Sequence, residues 1–529
     1  MSTTSTATVD LVEALSDPQA YPDPTGRVEM HQTHISWVFL TDSYAYKVKK
    51  PVRYDFLNFS TLDARRRDCE REVRVNRRLA ANVYLGVQPI VLGEQGLRVG
   101  GSGETIEYCV QMRRLPDDKL LDQKIARREA GTADVERLLD VLCPFYARAA
   151  ASEKISRHAT PESLQAKARA NFKVLEELAD ERLRREQVLH LRGAQYQFLA
   201  LERGKFRQRI EAGKIRDCHG DLRAEHVCLL DPPVVFDSIE FADRFRHIDV
   251  IDELCFLAMD FDFLGSPQLG DDLLAGYRRR TGDDPGEDLI GFYKSYRACV
   301  RAKVEALRAK QLDAAGRADA LDRAGRYLQL ACSYSSNFYR PKLLVMVGLM
   351  GTGKSTVAKA LTGELGLEVL QSDAVRKELA PRTRGAKAGY RQGIYTEEMT
   401  DRTYGEMQHR AAGLLERGVS VLLDATHQSR SRRGAAAELA RRTGSEVFFV
   451  ECTCPPADVI SRLDRRRKKK QSISDGRPEL YAQQAREFES TDELAAHQLI
   501  VVDTRRPVPE LVETVIEAMR GCAGGGAAR

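Results

Sequence analysis

Apolar and polar positions alternate near the start of the chain in the way that half-buried β-strands require. The alternation over residues 34–50 predicts a β-hairpin, and a strongly charged helix is expected over residues 62–81. Two further strands are predicted at 87–92 and 105–112. Residues 30–114 are therefore expected to form a small β-rich lobe with one helix.

A helical pattern follows, in which apolar residues return at intervals of three and four. It extends over residues 115–212 and resumes further along the chain to about residue 338. Short strands are predicted between the two stretches, at 214–218, 227–230 and 234–237. We interpret residues 115–338 as a mainly helical lobe.

A third pattern begins after Arg340-Pro341, where apolar strand segments alternate with helical segments. This alternation is typical of a parallel sheet covered on both faces. Its strands are predicted at 343–347, 367–371, 419–423, 446–451 and 498–502. We expect a domain over residues 341–520, a disordered tail over 521–529 and an N-terminal extension over 1–29.

Charge and composition narrow the class of protein. The 529 residues include 82 basic and 77 acidic side chains, so no chain-wide field marks a nucleic-acid binder. No apolar run approaches the roughly 20 residues that span a bilayer, and the N-terminus lacks the pattern of a signal peptide. Eleven scattered cysteines without a CxxC pair fit buried thiols in a reducing compartment. We expect a cytoplasmic protein without membrane partners.

The first strand of the third region runs into a glycine-rich segment that precedes a helical stretch. The segment fits GxxxxGK[ST] in the strand–loop–helix context that a phosphate-binding loop requires. The residues assigned to nucleotide binding are Gly348, Leu349, Met350, Gly351, Thr352, Gly353, Lys354, Ser355 and Thr356. Backbone N–H groups and the helix start would form an anion cradle. We expect Lys354 to reach the outer phosphates and Ser355 to hold Mg²⁺.

Polar residues that follow two other strands are candidates for metal binding and catalysis beside this loop. Asp424 ends one strand, where a carboxylate can organise the metal and its waters or simply cap the strand end. Asp373 and Arg376 follow another strand, one helical turn apart. Asp373 could take the proton of an attacking hydroxyl, and Arg376 could hold an anionic group. Ser372-Asp373 is also a common pair at helix starts.

A basic run occupies residues 462–470. Such a run can be a solvated helix face or a nucleic-acid patch. We favour a lid whose arginines, Arg462 and Arg466, close over the transferring phosphoryl group and exclude water.

Residues 342 to about 505 resemble the small P-loop kinases of the gluconate kinase, polynucleotide kinase and zeta-toxin group. The pieces that carry the resemblance are GLMGTGKS, QSDAVRKEL, VLLDAT and the arginine-rich stretch. In that group the Asp of the second strand acts as base, which the resemblance places on Asp373. The resemblance does not specify a substrate.

The first half of the chain contains a second set of candidate residues. Asp221 and Asp237 lie at the ends of adjacent short strands and could serve as proton acceptor and metal ligand, although either could cap a turn. Lys47 lies on a hairpin strand and could be an ordinary surface lysine. An ion pair with Glu70 or Glu72 on the next helix would instead orient it toward phosphates, and we assign Glu72.

Residues 30 to about 330 resemble the aminoglycoside phosphotransferase and fructosamine kinase type of small-molecule kinase, a relative of protein kinases. The resemblance implies a bilobal fold with Asp221 as catalytic base and Asp237 as Mg²⁺ ligand. Such enzymes usually carry Asn five residues after the base, where this chain has His226. Imidazole can bind metal but suits Mg²⁺ less well. The whole order of motifs resembles bacterial proteins described as bifunctional aminoglycoside phosphotransferase and ATP-binding proteins.

These observations predict a multi-domain α+β and α/β protein, with a protein-kinase-like bilobal N-terminal part and a P-loop NTPase parallel-sheet C-terminal part. The main hypothesis is a kinase that uses ATP and Mg²⁺ to phosphorylate a hydroxyl of a small molecule. ATP is favoured because no Asn-Lys-x-Asp tetrapeptide typical of GTPases is present. A nucleotide-dependent switch and a nucleic-acid end kinase are the alternatives, and the acceptor and the oligomeric state stay open.

Overall fold

The computed structural model of the chain describes residues 11–54, 57–94, 96–179, 183–380, 396–469 and 478–523. By contacts between residues the chain divides into two compact units: Met1–Thr160 with Gln208–Gly286, and Pro161–Arg207 with Glu287–Arg529.

The first unit contains a six-stranded antiparallel sheet. In spatial order its strands are Glu29–Gln32, Ser36–Leu40, Tyr44–Lys49, Glu104–Arg113, Tyr84–Gly93 and Gly96–Val99. The predicted hairpin is confirmed, with Trp37 opposite Val48 and Val38 opposite Lys47. The two strands predicted after the charged helix are also confirmed.

The described part of the predicted N-terminal extension, which begins at residue 11, packs on this sheet. Leu15 and Tyr21 belong to the same buried cluster as Trp37 and Tyr46. The Tyr46 hydroxyl donates a hydrogen bond to Asp23 Oδ1 over 2.7 Å. Residues before the first strand therefore close one face of the small lobe.

The charged helix predicted over residues 62–81 is present as Leu62–Ala80. It begins after Thr61, whose side chain accepts a hydrogen bond from the Ala64 amide and so satisfies one of the unpaired N–H groups of the first turn. Its apolar face, including Val73, packs against the sheet with Val110. This packing brings polar residues of the same helix to the sheet face that carries Lys47.

Helices and short strands complete the first unit. Its remaining α-helices are Leu121–Ala126, Thr132–Arg148, Glu153–Ser156, Val250–Phe263 and Pro267–Thr281, and Arg203–Glu211 crosses the boundary between the units. The short helical turns are Pro18–Ala20, Asp117–Lys119, Arg157–Ala159, Ala224–His226 and Asp243–Phe245. The short strands are Arg53–Tyr54, Leu57–Asn58, Ile215–Asp217, Val227–Cys228, Val234–Val235 and His247–Asp249. The first two and the last of these strands were not predicted, because two or three residues are too few to show a period.

The second unit is built on a five-stranded sheet in which all neighbouring strands are parallel. In spatial order the strands are Glu368–Gln371, Val421–Asp424, Lys342–Val347, Glu446–Thr453 and Leu499–Asp503. All five match predicted strands. The P-loop strand is central and fully buried, as expected for a sheet covered on both faces.

The described α-helices of the second unit pack on this sheet or on one another. They are Pro161–Glu177, Arg185–Leu201, Glu287–Ala309, Ala314–Ser335, Lys354–Leu365, Ser372–Leu379, Glu397–Glu416, Arg430–Arg442, Pro456–Lys469, Pro478–Glu487 and Val508–Ala523. The last helix includes the first three residues of the predicted tail, and residues 524–529 lie outside the described residues. None of the helices described is long and apolar enough to cross a membrane.

Four helices that we assigned by sequence to the N-terminal half pack in this second unit. Ala200 belongs to the same buried cluster as Leu344 of the P-loop strand. Gln197 Nε2 donates a hydrogen bond to the Leu365 carbonyl over 3.1 Å. The predicted domain bounds stay a prediction, but the helix Arg185–Leu201, which carries Gln197 and Ala200, contributes directly to the core of the P-loop sheet.

Candidate active sites

The glycine-rich segment forms a loop between the strand Lys342–Val347 and the helix Lys354–Leu365. Gly351 has a φ of 77°, and a Cβ there would lie 2.8 Å from Val459 Cγ1, so only glycine fits. Gly353, with a φ of 97°, precedes the helix, and no side-chain oxygen caps its N–H groups. The loop therefore has the backbone conformation on which the predicted anion cradle depends, and phosphate binding there stays a prediction.

Lys354 lies against this loop. Its Nζ donates a hydrogen bond to the Leu349 carbonyl over 2.7 Å, and the residue is 8% exposed. Ser355 and Thr356 follow it in the first turn, both exposed. The ammonium is thus held where it would meet a phosphate bound to the backbone of the loop.

Asp424 is the last residue of the strand next to the P-loop strand, and it is buried. The loop that follows it contacts the P-loop directly, because the Gly348 amide donates to the Thr426 carbonyl over 3.0 Å. The Asp424 carboxylate and the Ser355 hydroxyl offer oxygen atoms, which are the metal ligands that Mg²⁺ prefers. Among the described residues no three acidic, His or Cys side chains form a metal cluster. Mg²⁺ sites with substrate phosphates usually need only one or two protein ligands, so these residues fit the ion.

Asp373 and Arg376 form an ion pair of 3.0 Å on the helix Ser372–Leu379. No side chain caps this helix at Gln371, so Asp373 is not the cap that the alternative interpretation proposed. Gln371 lies opposite Asp424 in the parallel sheet and donates to its Oδ2 over 3.4 Å. The structure therefore brings the predicted base and its arginine to the sheet edge that carries the predicted metal ligand.

The helix Pro456–Lys469 carries the predicted lid arginines. Arg462 donates to Thr504 Oγ1 over 2.9 Å and to the Thr504 carbonyl over 2.8 Å. It also lies 3.4 Å from the Thr352 carbonyl of the P-loop. Arg462 therefore braces the loop in this conformation. The side chain of Arg466 and all of residues 470–477 lie outside the described residues.

Three residues that support the P-loop were not predicted from the sequence. Thr504 donates to the Thr352 carbonyl over 2.6 Å, and the buried Gln484 accepts from the Met350 amide over 2.8 Å. His427 contacts the Met346 carbonyl through Nδ1 at 2.9 Å, and burial lowers its pKa to about 4. No local pattern could have identified Gln484, because its partner is 134 positions away.

The first unit brings together the second set of candidates. Lys47 Nζ lies 2.9 Å from Glu72 Oε1 and 2.6 Å from Asp237 Oδ1, whereas Glu70 is exposed. Burial alone would lower the pKa of the Lys47 ammonium, but the charges of Asp237 and Glu72 raise it well above its usual value. The predicted Lys47–Glu72 ion pair is therefore present, and the lysine stays charged.

A second lysine, Lys49, was not predicted as a site residue. It is fully buried and contacts Glu72 at 2.5 Å, Asp68 at 3.2 Å and Glu240. Burial raises the pKa of the Glu240 carboxyl to about 7, although the Lys49 charge opposes this shift. The alternation of side chains along a strand places Lys47 and Lys49 on one face, which was a signal available in the sequence.

Asp221, His226 and Asp237 lie close to one another. His226 Nδ1 contacts the Asp221 carbonyl at 2.8 Å, and its Nε2 lies 3.8 Å from Asp237 Oδ2. Burial would raise the pKa of the Asp237 carboxyl, but the Lys47 and His226 charges hold it well below its usual range. Arg223, which we did not single out, pairs with Asp221 at 3.1 Å. Asp221, the predicted base, and Asp237, the predicted metal ligand, therefore lie on either side of the His226 imidazole.

Glu253 fixes the loop that precedes Asp221. One of its oxygens accepts from the His219 amide over 3.1 Å and the other from the Gly220 amide over 2.6 Å. Gly220 has a φ of 93°, and a Cβ there would lie 2.9 Å from the Phe245 carbonyl oxygen. A buried carboxylate and an obligatory glycine therefore determine where Asp221 is presented.

The P-loop part of the chain is similar to a known family and to solved structures. The family described as AAA domain matches residues 343–491. A gluconokinase from Sinorhizobium meliloti is similar in structure, at 19% identity over 35% of this chain and 95% of that chain, with a TM-score of 0.26. The APS kinase of Mycobacterium tuberculosis in complex with AMPPNP and APS is 24% identical over 34% of this chain and 98% of that chain, with a TM-score of 0.25.

Relatives by sequence cover different shares of the chain. A UPF0200 protein from Aeropyrum pernix is 33% identical over 25% of this chain and 68% of its own length. An uncharacterized protein of Mycobacterium tuberculosis is 33% identical over 441 residues, which are 82% of this chain and 86% of that protein. An uncharacterized protein of Mycobacterium bovis matches with the same values. The chain therefore belongs to the family of these mycobacterial proteins and contains an AAA-domain P-loop.

Proposed function

We propose that this protein transfers the γ-phosphoryl group of ATP to a hydroxyl of a small molecule at the P-loop site of the second unit. The observation that carries the proposal is the Asp373–Arg376 ion pair, 3.0 Å long, on the sheet edge next to Asp424 and the P-loop. A P-loop alone requires only nucleotide binding. A carboxylate and an arginine at this place supply a base and an anion-binding group for an acceptor.

In this proposal the loop backbone and Lys354 bind the phosphates. Ser355 and Asp424 would hold Mg²⁺, which neutralises charge on the β- and γ-phosphates when bound. Asp373 accepts the proton of the acceptor hydroxyl as its oxygen attacks the γ-phosphorus, and ADP leaves. Arg376 orients both Asp373 and an anionic group of the acceptor.

We further propose that the first unit is a second kinase-like nucleotide site, with Lys47 held toward phosphates by Glu72. Asp221 would be its base, and Asp237 with His226 its metal ligands. The support is the convergence of all five side chains, with Lys47 2.6 Å from Asp237 and 2.9 Å from Glu72. The resemblance to the aminoglycoside phosphotransferase type implies the same roles for Asp221 and Asp237, whereas His226 departs from the pattern of that type.

The test is transfer of labelled γ-phosphate from ATP into a fractionated bacterial metabolite extract. Wild type is compared with Lys354→Ala, Asp373→Asn and Asp221→Asn. The matched control is Glu378→Gln, because Glu378 is a carboxylate on the same helix as Asp373 but pairs with Arg410 instead. We expect a labelled small molecule that disappears with Lys354→Ala and Asp373→Asn and persists with Glu378→Gln.

Several outcomes separate this function from the alternatives. Full turnover by Asp373→Asn would remove Asp373 as the base, and loss with Asp221→Asn alone would place the chemistry in the first unit. Phosphate release that needs Lys354 but labels no acceptor would favour a nucleotide-dependent switch. Labelling of oligonucleotide ends, with strongly salt-dependent binding, would favour a nucleic-acid end kinase.

A further inference from the structure

An open cleft of about 1040 Å³ lies in the first unit beside the helix Leu62–Ala80. Six basic side chains and four carboxylates line it, so its lining is positive. No residue that we predicted to bind nucleotide, to bind metal or to act as a base belongs to this lining. The cleft therefore does not contain the Lys47 and Asp221 group but borders it, because Asp68 of the lining contacts Lys49 at 3.2 Å.

The sequence of the helix produces this basic surface. Arg67, Arg71, Arg74 and Arg78 are spaced by four, three and four residues, which places them on one face of a helix. All four line the cleft. Arginines at i,i+4 repel one another, so the arrangement costs helix stability unless anions lie against it.

Part of this positive charge is neutralised within the protein. Arg246 lies 2.6 Å from Asp243 and 2.8 Å from Asp217, and Arg71 also contacts Asp243. Arg78 lies 3.3 Å from Asp217. These ion pairs place alternating positive and negative side chains along one side of the cleft.

Two cations of the lining have no such partner. Arg74 and Lys154 are exposed, and within the described part of the chain no carboxylate lies within ion-pair distance of either. Apolar side chains, including Phe59, Ile155 and Phe241, line the same cleft. Two unneutralised cations next to apolar walls suit a ligand with an anionic group and a ring or hydrocarbon part.

We propose that this cleft binds a small phosphate monoester, with the phosphate between Arg74 and Lys154 and the organic part against the partly exposed Phe241. Arginine guanidinium groups and lysine ammonium groups are the usual partners of phosphate oxygens in proteins. A bound dianion also relieves the repulsion among the helix arginines.

The position of the cleft gives such a ligand a means to act on the first unit. The helix that carries Arg74 on one face presents Glu72, which contacts both Lys47 and Lys49, on another. A ligand that holds this helix in place would favour the conformation in which Glu72 orients Lys47. The cleft is therefore an effector site, which does not depend on which unit carries the transferase chemistry.

The experiment uses the full chain and two probes, inorganic phosphate and phenyl phosphate, with calorimetric titration and amide hydrogen exchange. The variants are Arg74→Gln/Lys154→Gln and, as matched control, Arg66→Gln, an exposed arginine of the same helix that does not line the cleft. All are also made with Lys354→Ala, because the P-loop binds phosphate as well.

We expect phenyl phosphate to bind more tightly than inorganic phosphate and to slow exchange in the helix Leu62–Ala80. Each cation removed should weaken binding about tenfold, the contribution of one charge-assisted hydrogen bond. Arg66→Gln should bind like wild type, and Lys354→Ala should leave this protection unchanged. Equal binding by the double variant and Arg66→Gln would overturn the proposal, as would protection confined to the P-loop helix.

Discussion

The buried Lys49 provides the sharpest test of the electrostatics of the first unit. Lys47 and Lys49 together face four carboxylates, Glu72, Asp68, Glu240 and Asp237. Lys49→Met keeps the length of the side chain and removes its charge, which leaves buried carboxylates without their main counter-ion. Removal of one partner of a buried ion pair typically costs about 3–5 kcal/mol.

The assay uses the single tryptophan of the chain, Trp37, which is buried in the strand paired with that of Lys49. Its fluorescence during urea unfolding reports on the first unit alone. With an m-value of about 2 kcal/mol/M, the expected loss lowers the urea midpoint by roughly 1.5–2.5 M. Lys50→Met, at the adjacent but partly exposed lysine, is the control and should shift the midpoint by less than about 0.5 M.

The pH dependence of this loss follows from the raised pKa of Glu240, about 7 against an ordinary value of 4.5. Because the folded state holds this proton more tightly than the unfolded state, the stabilisation is present below pH 4.5 and is lost as pH rises toward 7. Without Lys49 the carboxylates repel more strongly, so the variant should lose more stability at pH 8 than at pH 5.5. Equal midpoints for variant and wild type at pH 8, or a larger loss at pH 5.5, would refute the reasoning.

Three further predictions concern single contacts. Gly351→Ala should abolish ATP binding in calorimetry, and adding Val459→Ala should restore it only in part. The contact of 2.8 Å is then removed, but the close approach to Leu463 Cγ at 3.1 Å and the positive φ remain. Full restoration would show that the Val459 contact alone excludes a side chain. Gln484→Ala should weaken ATP binding about fivefold to tenfold, since the Met350 amide loses its partner and the loop its support; unchanged affinity would mean that Gln484 only packs. Glu253→Gln should lower the urea midpoint of tryptophan fluorescence. The side-chain NH₂ group of glutamine would face a backbone N–H, and the lost hydrogen bond costs about 1–3 kcal/mol. An unchanged midpoint would show that the loop keeps its conformation without this carboxylate.

The sequence predicted the P-loop region in detail. All five parallel strands were predicted within two residues of their ends. For the central strands the reason is that buried parallel strands form continuous apolar runs bounded by polar residues. The phosphate loop and the Asp373–Arg376 pair were also found, since each is encoded within a few adjacent positions. One helical turn suffices to bring Asp373 and Arg376 to 3.0 Å.

Only the tertiary structure decided which distant residues complete each site. Thr504 and Gln484 reach the P-loop from 152 and 134 positions away, and Lys49 meets Glu240 across 191 positions. The grouping of helix residues such as Ala200 with the P-loop sheet was likewise invisible in the sequence. Local periodicity reports which face of an element is apolar, but it carries no information about which other apolar face will cover it. That choice is made by packing of the whole chain, and it determines the surroundings of both candidate sites.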